Sequence, residues 1–139
     1  MDYKRFDNTI IARIDAGEEI GAQIKAIAAR ENIALATVSA LGAVDKFTVG
    51  VFKPGEKKYY ANRFEGDYEI VSLTGTLSTM ANEIYLHLHM SAGDEQGRVV
   101  GGHFNEANVS ATCEAVIQII NGRVDRAFDA RVGLNLLRF

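Results

Sequence analysis

The sequence predicts an α/β fold of the α+β type: a mostly antiparallel β-sheet or partial barrel with one main helix at about residues 16–31. Three observations predict it. A single stretch has helical periodicity. The other apolar runs are short and rich in β-branched residues. Gly, Pro, Asn and Asp punctuate them at short intervals.

The elements follow in order. Thr9-Ile10-Ile11-Ala12-Arg13-Ile14 reads as a strand. Asp15, with Glu18 three residues later, resembles a capping box, and Glu18 and Glu19 suit a helix N-terminus. Ile20, Ile24, Ile27 and Ala28 then recur at helical spacing, and Arg30 and Asn32 fit the helix end. Strands are expected at 35–40 and 44–52, separated at Gly42. Lys53-Pro54-Gly55-Glu56 is a turn. Strands at 57–64 and 68–77 flank a second expected turn, Glu65-Gly66-Asp67, and Ser78 to Asn82 is a third connection. Glu83 to Met90 and Val99 to Phe104 are strands on either side of a polar loop, Ser91 to Arg98. Thr112 to Ile120 and Arg126 to Leu136 complete the set, with Asn121-Gly122 expected as a hairpin turn between them. There is no repeat or linker, so residues 1–139 are expected to form one domain.

All three histidines lie between positions 87 and 103. In the strand from Glu83 to Met90, strict alternation sends Ile84, Leu86, Leu88 and Met90 to one face. Glu83, Tyr85, His87 and His89 go to the other. Two imidazoles therefore stand side by side. Gly93 and Gly97 let the following loop turn, so that His103 on the next strand returns to face them. Gly101-Gly102 before it permits close backbone approach or a bulge. A bare His-x-His pair on a strand commonly faces solvent. The third histidine behind two glycines, with none elsewhere in the chain, favours a metal site. Three imidazoles without a fourth protein ligand match an open Zn²⁺ site, and Fe, Ni or Cu also accept imidazole.

Composition sets the outer limits. The 139 residues carry a formal net charge of −3, 47% hydrophobic and 24% charged residues. This is ordinary globular composition, and the acidic balance disfavours broad attraction to DNA or anionic membranes. A lone cysteine, Cys113, excludes an internal disulfide and reads as a small core residue. The charged N-terminal stretch does not read as a signal peptide, and no apolar run is long enough for a membrane span, so a cytoplasmic location is expected. There is no phosphate-binding glycine loop and no Ser/His/Asp grouping. Glu69 is a candidate acceptor for a ligand imidazole, and Glu114 a candidate acid/base. Asp94, Glu95, Arg126 and Arg131 are candidate site or interface charges. Lys57-Lys58-Tyr59-Tyr60 superficially suggests nucleic-acid contact.

Several stretches together resemble the PPC (plant and prokaryote conserved) domain. They are Ser39-Ala40-Leu41-Gly42-Ala43-Val44, the run from Tyr68 to Ser78, Tyr85-Leu86-His87-Leu88-His89-Met90-Ser91, Gly101-Gly102-His103, and Thr112 to Ile117. The resemblance extends over nearly the whole chain, with Arg126 to Leu136 similar to the closing strand. It implies an antiparallel sheet with one main helix, a homotrimer, and a protein of a type commonly described as DNA-binding in prokaryotes. Plant members grip DNA with a separate Arg-Gly-Arg-Pro hook that has no counterpart here. In the plant segment tied to protein partners, Asp67 stands where an arginine is usual. The fold is also similar to acetolactate decarboxylase, whose zinc is held by three histidines including a His-x-His pair. The expectation is therefore a trimeric, metal-binding binding or regulatory module with His87, His89 and His103 as ligands of Zn²⁺ or a related ion. The alternative is a zinc enzyme, hydrolytic or decarboxylase-like.

Overall fold

The computed structural model describes all 139 residues, Met1–Phe139. The elements are β1 (Asp2–Phe6), β2 (Thr9–Asp15), α1 (Ile20–Arg30), β3 (Ala36–Lys53), β4 (Lys58–Met80), β5 (Glu83–Gly93), β6 (Val99–Ile119), β7 (Asp125–Asp129) and β8 (Leu134–Arg138). One helix on a dominant sheet agrees with the sequence expectation. The strand order is β1-β2-β6-β3-β4-β7-β8, with β5 bonded to both β4 and β6. Because β6 pairs β3, β3 pairs β4, β4 pairs β5 and β5 pairs β6, these four strands close a ring. Closure pairs residues 69–77 of β4 on both sides, with β3 and β5, whereas residues 58–68 pair with β3 alone. The sheet is mixed only at β4–β7, which run parallel through the single pair Thr79–Asp125.

The interior is aliphatic. Ile10 and Ile14 from β2, Val38, Val44, Phe47 and Val49 from β3, Leu73 and Leu77 from β4, and Leu88 and Met90 from β5 join one cluster with Ile117 from β6. The helix adds Ile20, Ile24, Ile27 and Ala28, the stripe its sequence announces, and packs against β5 and β6.

The helix starts later than expected. Its N-cap is Glu19, whose carboxylate accepts from Gly21 N and Ala22 N and also from Ala107 N on β6. Asp15 is the last residue of β2, and its carboxylate serves Arg13 and the N-terminal ammonium. Glu18 does reach back to Asp15 N, at 2.8 Å, but the contact closes the β2–α1 turn rather than the helix.

Two expected turns are absent. Glu65-Gly66-Asp67 lies within β4. Lys46 pairs Glu65 and Val44 pairs Tyr68, so Gly66 and Asp67 together oppose Asp45 as a bulge, with Gly66 at φ +126°. Likewise, 35–40 and 44–52 are one strand bent around Gly42. Asn121-Gly122 makes no hairpin. The end of β6 is bonded on both sides, Gln118 to Thr9 of β2 and Ile119 to Ala36 of β3, so no edge is free to receive a returning strand. The chain instead crosses to β4. The real terminal hairpin is β7–β8, turned by Asp129, whose carboxylate accepts from Arg131 N and Val132 N. The Pro54-Gly55 turn forms where expected, and β1 lies outside the strands that the sequence predicts.

Candidate metal centre

The local pattern that places His87 and His89 is the alternation of β5. Leu88 and Met90 are buried in the core, so the imidazoles between them project from the opposite face. The hairpin between β5 and β6 supplies the third ring: His89 is directly paired with His103. Close packing holds that strand in place. A side chain at Gly102 would meet Gly50 O at 2.5 Å, and one at Gly101 would meet Met90 O at 2.6 Å. Only glycine lets β6 pass this near both neighbours beside His103.

The candidate ligand atoms of His87, His89 and His103 all lie within 4.8 Å of one another. Their ring centroids are 5.2–5.5 Å apart. Tetrahedral ligands at about 2.0–2.1 Å from Zn²⁺ stand about 3.4 Å apart, so the spacing of the triad exceeds what one ion requires by at most about 1.4 Å. The donor set fits: three imidazoles, no competing carboxylate, and a remaining position open. Burial, then the Arg126 guanidinium, hold His87 below its ordinary pKa; burial, then His89, do the same for His103. Both shifts favour the neutral, ligating form.

The triad opens into a cavity of about 750 Å³. Val51, Phe52, Leu134, Leu136 and Leu137 give it apolar walls, and Tyr59 and Arg126 reach it beside the histidines. Tyr59 lies edge-on to His103 at 5.8 Å, and its hydroxyl donates to Asn105 Oδ1 and stands 3.2 Å from His103 O. The lysine–tyrosine stretch thus contributes a tyrosine to this site, while Lys57 donates to Ala130 O in the terminal hairpin.

Arg126 is only 8% exposed and has no carboxylate partner. Its Nε donates to Ser78 Oγ at 3.0 Å, its Nη1 to Asn135 O at 2.9 Å, and its guanidinium lies over the Tyr85 ring at 4.9 Å. Its Nη2 is 3.3 Å from His87 Nδ1. A guanidinium cannot accept, so Nη2 donates and Nδ1 receives. In a neutral imidazole that puts the ring proton on Nε2 and leaves no lone pair for an ion. Coordination by His87 through either nitrogen therefore breaks this bond and releases the Arg126 donor.

The other candidates lie elsewhere. Glu69 is exposed and pairs with Gly93, and exposed Glu114 pairs with Arg13 and Leu41. Asp94 is paired with Arg98, Glu95 bonds Gln96, and Arg131 is paired with Asp129. Cys113 is fully buried, as expected of a core residue. The place of Arg126 depends on the parallel contact of β7 with β4, for which its local sequence carries no signal.

Comparison with known proteins agrees with this fold. A family model described as the Plants and Prokaryotes Conserved (PCC) domain matches residues 1–121. A candidate DNA-binding protein from Bacteroides thetaiotaomicron is 30% identical with a TM-score of 0.96, over 99% of this chain and 96% of its own. A metal-containing protein from Archaeoglobus fulgidus is 29% identical with a TM-score of 0.90, over 99% and 97%. A plant- and prokaryote-conserved (PPC) protein from Pyrococcus horikoshii is 29% identical with a TM-score of 0.86, over 99% and 94%. No curated protein matches the sequence. No helix of the chain is long and apolar enough to cross a membrane.

Proposed function

The chain belongs to the Plants and Prokaryotes Conserved (PCC) domain family, and from that premise we propose that it is a metal-binding module whose His87, His89 and His103 hold one ion, Zn²⁺ before Fe or other transition metals. The observation that carries this reading is the convergence of three imidazoles, with ligand atoms within 4.8 Å, at the wall of a cavity. The metal-containing relative with the same fold supports it. Such an ion supplies Lewis acidity at the position the protein leaves open. Two features of the chain support this reading: the alternation of β5 puts two rings on one face, and the close Gly102–Gly50 crossing brings the strand that carries the third beside them.

We read all 139 residues as one domain that assembles as a homotrimer. Phe128, Val132 and Phe139 stay exposed at the terminal hairpin outside the cavity wall, and a subunit boundary would cover them. The free, buried Cys113 suits a reducing cytoplasm. Elemental analysis by mass spectrometry tests the metal reading on tag-free protein beside the double variant His87→Ala/His89→Ala. About one ion per chain, lost in the variant, is expected. No ion in either protein after loading and buffer exchange overturns it.

A second reading, a zinc enzyme of hydrolytic or decarboxylase-like type, is favoured by the cavity and by Arg126 beside the triad. Turnover on a hydrolase and 2-oxo-acid panel that disappears with the metal would establish it. DNA binding, suggested by the description of the Bacteroides relative, predicts a gel shift on duplex DNA at low salt that weakens steeply as salt rises.

A further inference from the structure

We propose that the cavity beside the histidine triad binds a small organic carboxylate with an apolar tail, its head group shared between the bound ion and the Arg126 guanidinium. The proposal rests on the metal reading above and adds a ligand class to it. Three observations carry it.

The first is an unbalanced buried charge. Arg126 is more than nine-tenths buried, and every partner it has is neutral: Ser78, Thr76, His87, the Asn135 carbonyl and the Tyr85 ring. A buried guanidinium is ordinarily paired with an anion. The second is the geometry at His87. Nη2 stands 3.3 Å from His87 Nδ1, and coordination of an ion by His87 would free that donor beside the triad. The third is the lining. Arg126 is the only permanently charged side chain on the cavity wall, and no lysine and no acid joins it. Val51, Phe52, Leu134, Leu136 and Leu137 form the rest of the wall together with polar Tyr59, Tyr85 and Asn135. One guanidinium beside one divalent ion suits an anionic head, and the planar guanidinium fork matches a carboxylate. The aliphatic wall suits a hydrocarbon body.

The test uses 4-methylpentanoate and its neutral isostere 4-methylpentanamide as probes in isothermal titration calorimetry. The proteins are zinc-loaded and metal-free wild type, Arg126→Gln and Arg126→Lys, with zinc per chain measured for each. On zinc-loaded wild type the acid is expected to bind at least about tenfold tighter than the amide. Arg126→Gln should lose about tenfold for the acid, keep its zinc, and leave the amide unchanged. Arg126→Lys should retain part of the preference. The metal-free wild type should bind the acid more weakly, and the acid should reciprocally tighten zinc retention. Equal binding of acid and amide overturns the proposal, as does wild-type acid affinity in zinc-loaded Arg126→Gln. If Arg126→Gln does not fold, the acid–amide comparison on wild type decides alone. A triad that holds no zinc while the acid still binds through Arg126 overturns the shared head group and the metal reading together. Zinc retention without any acid preference overturns only the ligand proposal.

Discussion

Replacing Gly102 by alanine tests the link between strand packing and the candidate metal centre. The new Cβ would stand 2.5 Å from Gly50 O, 3.1 Å from Gly50 N and 3.2 Å from Gly50 C. A carbon–oxygen contact normally sits at about 3.3–3.6 Å, so β6 and β3 must part by about 1 Å. The opposing atoms are all backbone, and Gly50 is itself pressed against Tyr60 O, 2.3 Å from where its own Cβ would lie. Neither strand can yield by rotating a side chain. Overpacking of this kind costs about 1–3 kcal/mol, and the absence of a flexible neighbour puts it near the upper end. For a chain of this size the melting midpoint should fall by roughly 6–12 °C. His103, the next residue, moves with the strand, and zinc affinity should drop about tenfold or more. Calorimetry of the metal-free protein and zinc competition with a chelator read the two effects. Gly55→Ala is the control, because nothing lies within 4 Å of a Cβ there. If Gly102→Ala melts and binds zinc like Gly55→Ala, the packing argument is wrong.

Three further outcomes follow from the structure. Zinc affinity should fall mainly below pH 6.5, because His87 and His103 have depressed pKa values and protons compete for their lone pairs only below the ordinary value; a chelator competition with a steep loss already between pH 8 and 7 would contradict this. The Cys113 thiol, pushed up to about 11 by burial, stays protonated at pH 8 and should resist iodoacetamide in the folded protein and react on denaturation; rapid native-state labelling would refute the assignment to the core. Leu88→Ala, between the two β5 histidines but facing inward at 1% exposure, should cost about 2–5 kcal/mol in urea unfolding without the metal; a loss below about 1 kcal/mol would mean that the layer beneath the site is loosely packed.

The histidine triad was legible because its information is local. Alternation along β5 assigns the faces of His87 and His89, and a short loop returns His103. The helix body was legible from its isoleucine stripe, but its start was not. Asp15 and Glu18 satisfy a capping pattern that Glu19 fulfils in space, with help from Ala107 on a distant strand. Turn chemistry misled where the partner strand decides. Gly66-Asp67 becomes a bulge because β3 keeps pairing on both sides of it, and Asn121-Gly122 cannot make a hairpin because β6 is already saturated. Arg126 belongs to the site only through the contact of β7 with β4, a pairing between remote segments that periodicity does not encode.

The ring of strands also has a temporal side. Its closure joins Ala36 to Ile119, so the barrel depends on contacts between remote parts of the chain, which are slow to form. The triad does not wait for it. His87, His89 and His103 all lie on β5 and β6, joined by the loop from Asp94 to Arg98, and a hairpin of this kind forms in about 1–10 μs. The imidazoles can therefore meet before β3 has found β6. An ion captured at that stage would clip the hairpin in register and give the later strands a fixed template, so under the metal reading zinc present during refolding should speed the reaction as well as stabilise its product.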